Sequence, residues 1–117
     1  MIVDDSASLR QVVKIALTSA GYDVIEACDG KDALGMLNGQ RYHLIVSDVN
    51  MPNMDGIALL KAIKQHASYK FTPVLMLTTE SGEAKKQEGQ AAGAKAWIVK
   101  PFQPQQLLMA VSKLIMP

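Results

Sequence analysis

The chain has 117 residues, 49% of them hydrophobic and 20% charged, which suits one globular domain built on a single core and leaves little room for a second. Twelve basic and eleven acidic residues balance to a net charge of +1, so there is no electrostatic reason to expect a nucleic-acid partner. The lone cysteine, Cys28, excludes an internal disulfide framework and fits a reducing cytoplasm, no run of about 18 apolar residues is available for membrane insertion, and no basic-then-apolar leader opens the chain.

Ile2-Val3 is the first apolar run, and it meets Asp4-Asp5 almost at once. A strand this short is what a chain lacking a few residues before Met1 leaves behind. Leu9, Val12, Val13, Ala16, Leu17 and Ala20 then follow the spacing of an amphipathic helix. Ser6 or Ser8 can cap its start, and Gly21 stands where a left-handed stop is expected. Tyr22 to Ala27 alternates as a strand does. Asp29 caps a short helix bearing Ala33, Leu34 and Leu37, with Gly39 as its end. Leu44-Ile45-Val46 is a continuous apolar run, the pattern of a strand buried on both faces, and it delivers Asp48.

After a loop containing Pro52, Asn53 and Gly56, Leu59, Leu60, Ile63 and Ala67 mark one face of a further helix. Pro73 opens the run Val74-Leu75-Met76-Leu77, which delivers Thr78. Residues 81–92 form a weakly amphipathic helix with Gly93 at its end. Ala96-Trp97-Ile98-Val99 is the fifth strand and delivers Lys100; Pro104 suits the first turn of a last helix carrying Leu107, Leu108, Val111, Leu114 and Ile115. Five strand–helix units in strict alternation imply an α/β domain, a doubly wound parallel five-stranded sheet with helices on both faces.

In such a sheet, ligands bind at the carboxyl ends of the strands. Here those ends carry Asp4, Asp5, Asp48, Thr78 and Lys100. Packing does not account for polar residues closing four separate apolar runs. Converging carboxylates repel one another unless a hard divalent cation such as magnesium sits among them. Lys100 adds a mobile positive charge suited to phosphate, and Thr78 a hydroxyl donor and acceptor. A carboxylate can also be a nucleophile. The chemistry that uses these parts is magnesium-assisted phosphoryl transfer onto a carboxylate. Blander readings exist for each part alone. Asp4-Asp5 can cap the first helix, Asp48 can be a turn residue, Thr78 an ordinary strand threonine, Lys100 a solvated loop entry and Trp97 a static half-buried tryptophan. His43 and His66 lack acidic companions at metal-ligand spacing.

Asp4-Asp5, the stretch Ser47-Asp48-Val49-Asn50-Met51-Pro52-Asn53-Met54-Asp55-Gly56, Thr78-Thr79-Glu80 and Lys100-Pro101-Phe102 together resemble the response-regulator receiver family, most of all its single-domain chemotaxis members. The resemblance spans the whole chain, residues 1–117, and implies a flavodoxin-like fold with strand order 2-1-3-4-5. It implies that Asp48 accepts a phosphoryl group from a histidine kinase of the chemotaxis type. Asp5, Asp48 and the backbone carbonyl of Asn50 bind Mg2+ on this reading, with Asp4 acting through water. Lys100, with a cis bond to Pro101, pairs with the phosphoryl group, and Thr78 moves to bond it. Trp97 occupies the place of the family's switch aromatic, which is usually Tyr or Phe. Asn50 and Glu80 match the chemotaxis pattern at positions that tune phosphate loss. A downstream protein is expected on the face made by the fourth helix, fifth strand and last helix.

Two other functions compete. An aspartyl-phosphate phosphatase places a second aspartate two residues after its nucleophile, and Asn50 stands there instead. The chain can also be a docking module or a receiver cut from a larger regulator with an output domain.

Overall fold

The computed structural model describes residues 1–49, 51, 54–78, 83–100 and 102–115, with the side chains of residues 83–86 left out of the description. Strands and helices alternate: β1 (Ile2–Val3), α1 (Ala7–Ser19), β2 (Glu26–Ala27), α2 (Gly30–Gly35), β3 (Ile45–Asp48), α3 (Gly56–Gln65), β4 (Val74–Thr78), α4 (Glu83–Ala91), β5 (Ala96–Val99) and α5 (Pro104–Leu114). The strands form one parallel sheet in the order β2-β1-β3-β4-β5. This is the doubly wound α/β fold expected from the alternation.

Successive residues of each strand point to opposite faces, and both faces are covered. Ile2, Val46, Leu75, Leu77 and Ile98 pack against Val13 and Leu17 of α1 and Leu107 and Val111 of α5. Val3, Ile45, Val74 and Met76 pack against Ala33 of α2 and Leu59, Leu60 and Ile63 of α3. Each fully buried Leu or Ile contributes about 1.5–3 kcal/mol to stability. The two faces together hold the strand ends in fixed register.

Local signals set most element boundaries. Ser6 is the N-cap of α1, its hydroxyl accepting from the Leu9 N–H at 3.3 Å; Asp29 caps α2 by accepting from Asp32 N–H at 2.8 Å. Gly21 (φ 93°) closes α1 in a Schellman motif, with Tyr22 N–H bonded to the Leu17 carbonyl and Gly21 N–H to that of Thr18. Pro104 lies in the first turn of α5.

Three boundaries differ from the sequence reading. β2 is limited to Glu26–Ala27 rather than Tyr22–Ala27, because β1 offers only Ile2 and Val3 for pairing; Tyr22 and Val24 still pack on the α1–α5 side. α2 stops at Gly35, and Met36 and Leu37 turn tightly onto Ala33 and Leu34 before Gly39 is reached. α3 ends before Ala67, with His66 extended as its C-cap.

α4 has the weakest anchorage. Its sequence, Glu-Ala-Lys-Lys-Gln-Glu-Gly-Gln-Ala, carries no large apolar side chain. Gly89 lies under the ring of Trp97, and Lys61 of α3 reaches Glu88 at 3.8 Å in an exposed ion pair of little worth.

Candidate functional site

The carboxyl end of β1 delivers Asp4 and Asp5; β3, its neighbour in the sheet, delivers Asp48. Parallel pairing of adjacent strands places these ends side by side, so residues far apart in sequence meet. One ligand oxygen from each of Asp4, Asp5 and Asp48 lies within 4.8 Å of the others. Asp4 and Asp48 are buried and Asp5 is exposed. Three oxygen donors, one open to solvent, suit a hard cation that keeps part of its water. Among the described residues this is the one such acidic cluster, and neither His43 nor His66 belongs to it.

Lys100, at the end of β5, reaches across the sheet end into the same place. Its ammonium donates to Asp48 Oδ1 at 3.0 Å and to Asp4 Oδ2 at 3.3 Å. Asp48 Oδ1 also accepts from the Val49 N–H at 3.0 Å. Burial nevertheless pushes the Asp48 carboxyl above its ordinary range. The charge of Asp4 pushes the same way, while Lys100 and the Val49 N–H pull it back without cancelling the rise. A buried carboxylate under this strain is one whose negative charge a cation relieves.

Asp4 has a local task as well. Its Oδ1 accepts from the Ser6 N–H at 2.8 Å, ahead of the Ser6 cap of α1, and its carbonyl accepts from Arg10 Nη1 at 2.6 Å. Asp4 does not cap α1, which Ser6 does; it fixes the chain just ahead of that cap while also belonging to the acidic cluster.

Thr78 ends β4 in full burial, one residue past the Asp48–Leu77 pair of the β3–β4 register. The Lys100 N–H donates to the Thr78 carbonyl at 2.6 Å, which fixes these two strand ends to each other. Trp97 is half-buried on β5 and faces α4. Asn50, Glu80 and Pro101 lie outside the described residues.

Two further residues, Gly56 and Arg10, shape the site, and local sequence patterns give neither of them that role. Gly56 begins α3 directly over Asp48. A Cβ there would run into the Asp48 carbonyl oxygen and stand 2.9 Å from both the Asp48 carbonyl carbon and Met76 Cε. Gly56 N–H also donates to the Val49 carbonyl at 2.8 Å. Arg10, which reaches the Asp4 carbonyl and pairs with Glu26 at 3.5 Å, could have been noticed only from its place one turn into the helix after Asp4.

The family model described as the response regulator receiver domain matches residues 1–112. Protein PilG of Pseudomonas aeruginosa is 36% identical over 111 residues, covering 95% of this chain and 82% of that protein. Chemotaxis protein CheY1 of Helicobacter pylori is 38% identical over 109 residues, covering 92% and 88%. The solved structure of chemotaxis protein CheY4 of Vibrio cholerae superposes with a TM-score of 0.92 at 50% identity, covering 97% of this chain and 95% of that one.

Proposed function

Because this chain belongs to the response-regulator receiver family and has CheY-like chemotaxis relatives, we propose that it is a phosphorylation switch whose acceptor is Asp48. The observation that carries this reading is the convergence of Asp4, Asp5, Asp48 and Lys100 at one sheet end. An Asp48 carboxylate oxygen forms a bond to phosphorus as the bond from phosphorus to a phosphohistidine nitrogen of the kinase breaks, the nitrogen keeping the electron pair. Lys100 holds Asp48 in place beforehand and then pairs with the transferred group. Asp5 and Asp48, with the Asn50 carbonyl and with Asp4 through water, would hold a magnesium ion, which would supply charge neutralisation for the phosphoryl oxygens. Asn50 stands where an aspartyl-phosphate phosphatase places its acid–base aspartate, which counts against multiple-turnover hydrolysis.

The new group adds roughly −1.5 to −2 charge near neutral pH. Thr78 and Lys100, already tied through the backbone, respond to it together. Trp97 passes the change to α4, the helix with the least apolar anchorage, and so to a downstream protein on the α4–β5–α5 face. Glu80 and Asn50 tune how fast the phosphoryl group is lost. We place this work in the cytoplasm, with a chemotaxis-type histidine kinase as donor. No helix among the described residues is long and apolar enough to cross a membrane.

Intact-mass measurement after incubation with acetyl phosphate and magnesium tests the proposal. The wild-type chain gains one phosphoryl mass and Asp48→Ala gains none; an equal gain in both, or none in wild type, refutes it.

A further inference from the structure

The end of the molecule opposite Asp48 carries a groove of about 650 Å³ at the amino ends of β3, β4 and β5. Its walls are the chain after α2, the turn between α3 and β4, the residue before β5, and the last turn of α5. Arg41, Lys95 and Lys113 line it, and among the described residues no carboxylate does. All three side chains are exposed, and among the described residues none of them makes an ion pair. Lys95 is close enough to Lys64 that its charge, after burial, lowers the pKa of that lysine.

The floor of this groove is apolar and rigid. Tyr42 and Tyr69 are buried with ring centroids 5.8 Å apart. The Tyr69 hydroxyl donates to the Gln40 carbonyl at 2.6 Å and accepts from the Gly39 N–H at 3.0 Å, fixing one wall to the other. On the rim, Phe71 is 86% exposed, with the Lys70 ammonium 5.2 Å from its ring centre. A large aromatic side chain is thus held in water beside an apolar floor ringed by exposed cations.

We propose that this groove docks an acidic peptide segment of a partner protein, its carboxylates meeting Arg41, Lys95 and Lys113 and an apolar side chain packing between Phe71 and the tyrosine floor. The charge of the groove is complementary to carboxylates, and its concave apolar floor has a use for a side chain that a phosphate backbone lacks. A nucleic acid draws its affinity from many phosphate contacts along a basic track, whereas here the cations are few, ring a single groove and sit on a chain of net charge +1.

A fluorescein-labelled peptide of alternating glutamate and leucine, titrated by anisotropy and mapped by amide chemical shifts, tests this. The acidic peptide binds, with shifts grouped at residues 41–43, 71–72, 95 and 113, while the glutamine–leucine counterpart does not. The double variant Lys95→Glu/Lys113→Glu binds at least about tenfold more weakly, and Phe71→Ser several-fold more weakly with an unchanged Tm. Lys31→Glu, an exposed lysine on α2, stays within about twofold of wild type. Failure of the acidic peptide to bind, an equal loss in Lys31→Glu, or shifts centred on the Asp48 end would overturn the proposal. Tighter binding of a single-stranded oligonucleotide, lost in the same double variant, would overturn it too and assign the groove to nucleic acid.

Discussion

The ring of Trp97 lies across Gly89 so closely that a Cβ at residue 89 would stand 3.1 Å from Cε3 and nearer still to Cζ3. The contact joins the one tryptophan of the chain to the helix with the least apolar anchorage. Without a side chain at residue 89, α4 can approach the sheet; with one, either the indole or the helix must give way.

Glycine in an open helical position costs roughly 0.5–1 kcal/mol relative to alanine. Gly35 of α2 has open space around it, so Gly35→Ala stabilises the protein by about that amount. Gly89→Ala gives no such gain, because the indole is displaced toward water. Thermal melts and Trp97 emission check the pair. A red-shifted emission confined to Gly89→Ala is expected; equal stabilisation with unchanged emission contradicts the packing described.

The raised pKa of Asp48 has a stability counterpart. The folded state holds this proton more tightly than the unfolded chain, whose carboxyl titrates near 3.8. The associated stability is therefore complete below 3.8 and is lost as pH rises through the higher folded value. At neutral pH without metal, Asp48→Asn melts at a higher temperature than wild type. The gap closes as pH falls below 3.8, and magnesium narrows it at neutral pH by relieving the wild-type carboxylate. Melts across pH with EDTA or magnesium decide this; a lower Tm for Asp48→Asn at neutral pH runs against it.

Lys100 neutralises the same carboxylates that would hold a metal ion, so the two would compete. Lys100→Met leaves Asp4 and Asp48 unpaired and costs about 3 kcal/mol in metal-free buffer. The same variant binds magnesium more tightly than wild type, as followed by Trp97 fluorescence or calorimetry. Unchanged stability together with weaker magnesium binding would show that Lys100 does not carry the compensating charge.

Gly56→Ala presses on the backbone of Asp48, the proposed phosphoacceptor. The obstacle is the Asp48 carbonyl, which β3 holds in the sheet, so relief comes from shifting α3. A loss of roughly 1–3 kcal/mol in denaturant melts is expected, with slower phosphorylation by acetyl phosphate than in wild type. Wild-type stability and rate in this variant would mean that the approach of α3 to Asp48 is soft.

Much of this could be read along the chain. The alternation of apolar runs with helical periodicity yields the fold class, because a strand buried on both faces and an amphipathic helix leave different marks. The caps at Ser6 and Asp29, and the stop at Gly21, are local chemistry and fall where the residue types place them. The polar residues at the strand ends stand out because burial is unfavourable to them. Strand order is different: alternation alone permits several, and 2-1-3-4-5 came with the family resemblance. The extents of β2 and α2 depended on which partners were within reach. Gly56 and Gly89 are glycines because of Asp48 and Trp97, contacts that no local pattern encodes. Arg41, Phe71, Lys95 and Lys113 likewise share a groove only after folding.

The ion pairs of Lys100 span 96 residues to Asp4 and 52 to Asp48. β1 lies between β2 and β3, and Lys100 arrives on the outermost strand, so these charges meet only when both halves of the sheet have assembled. Such distant pairings close late and slowly during folding. A nascent chain stopped before β5, or one clipped ahead of it, has Asp48 but not the cation that holds it. On the proposed function, competence to be phosphorylated would then also be a check on completeness, because an unfinished copy lacks the Lys100 that holds Asp48.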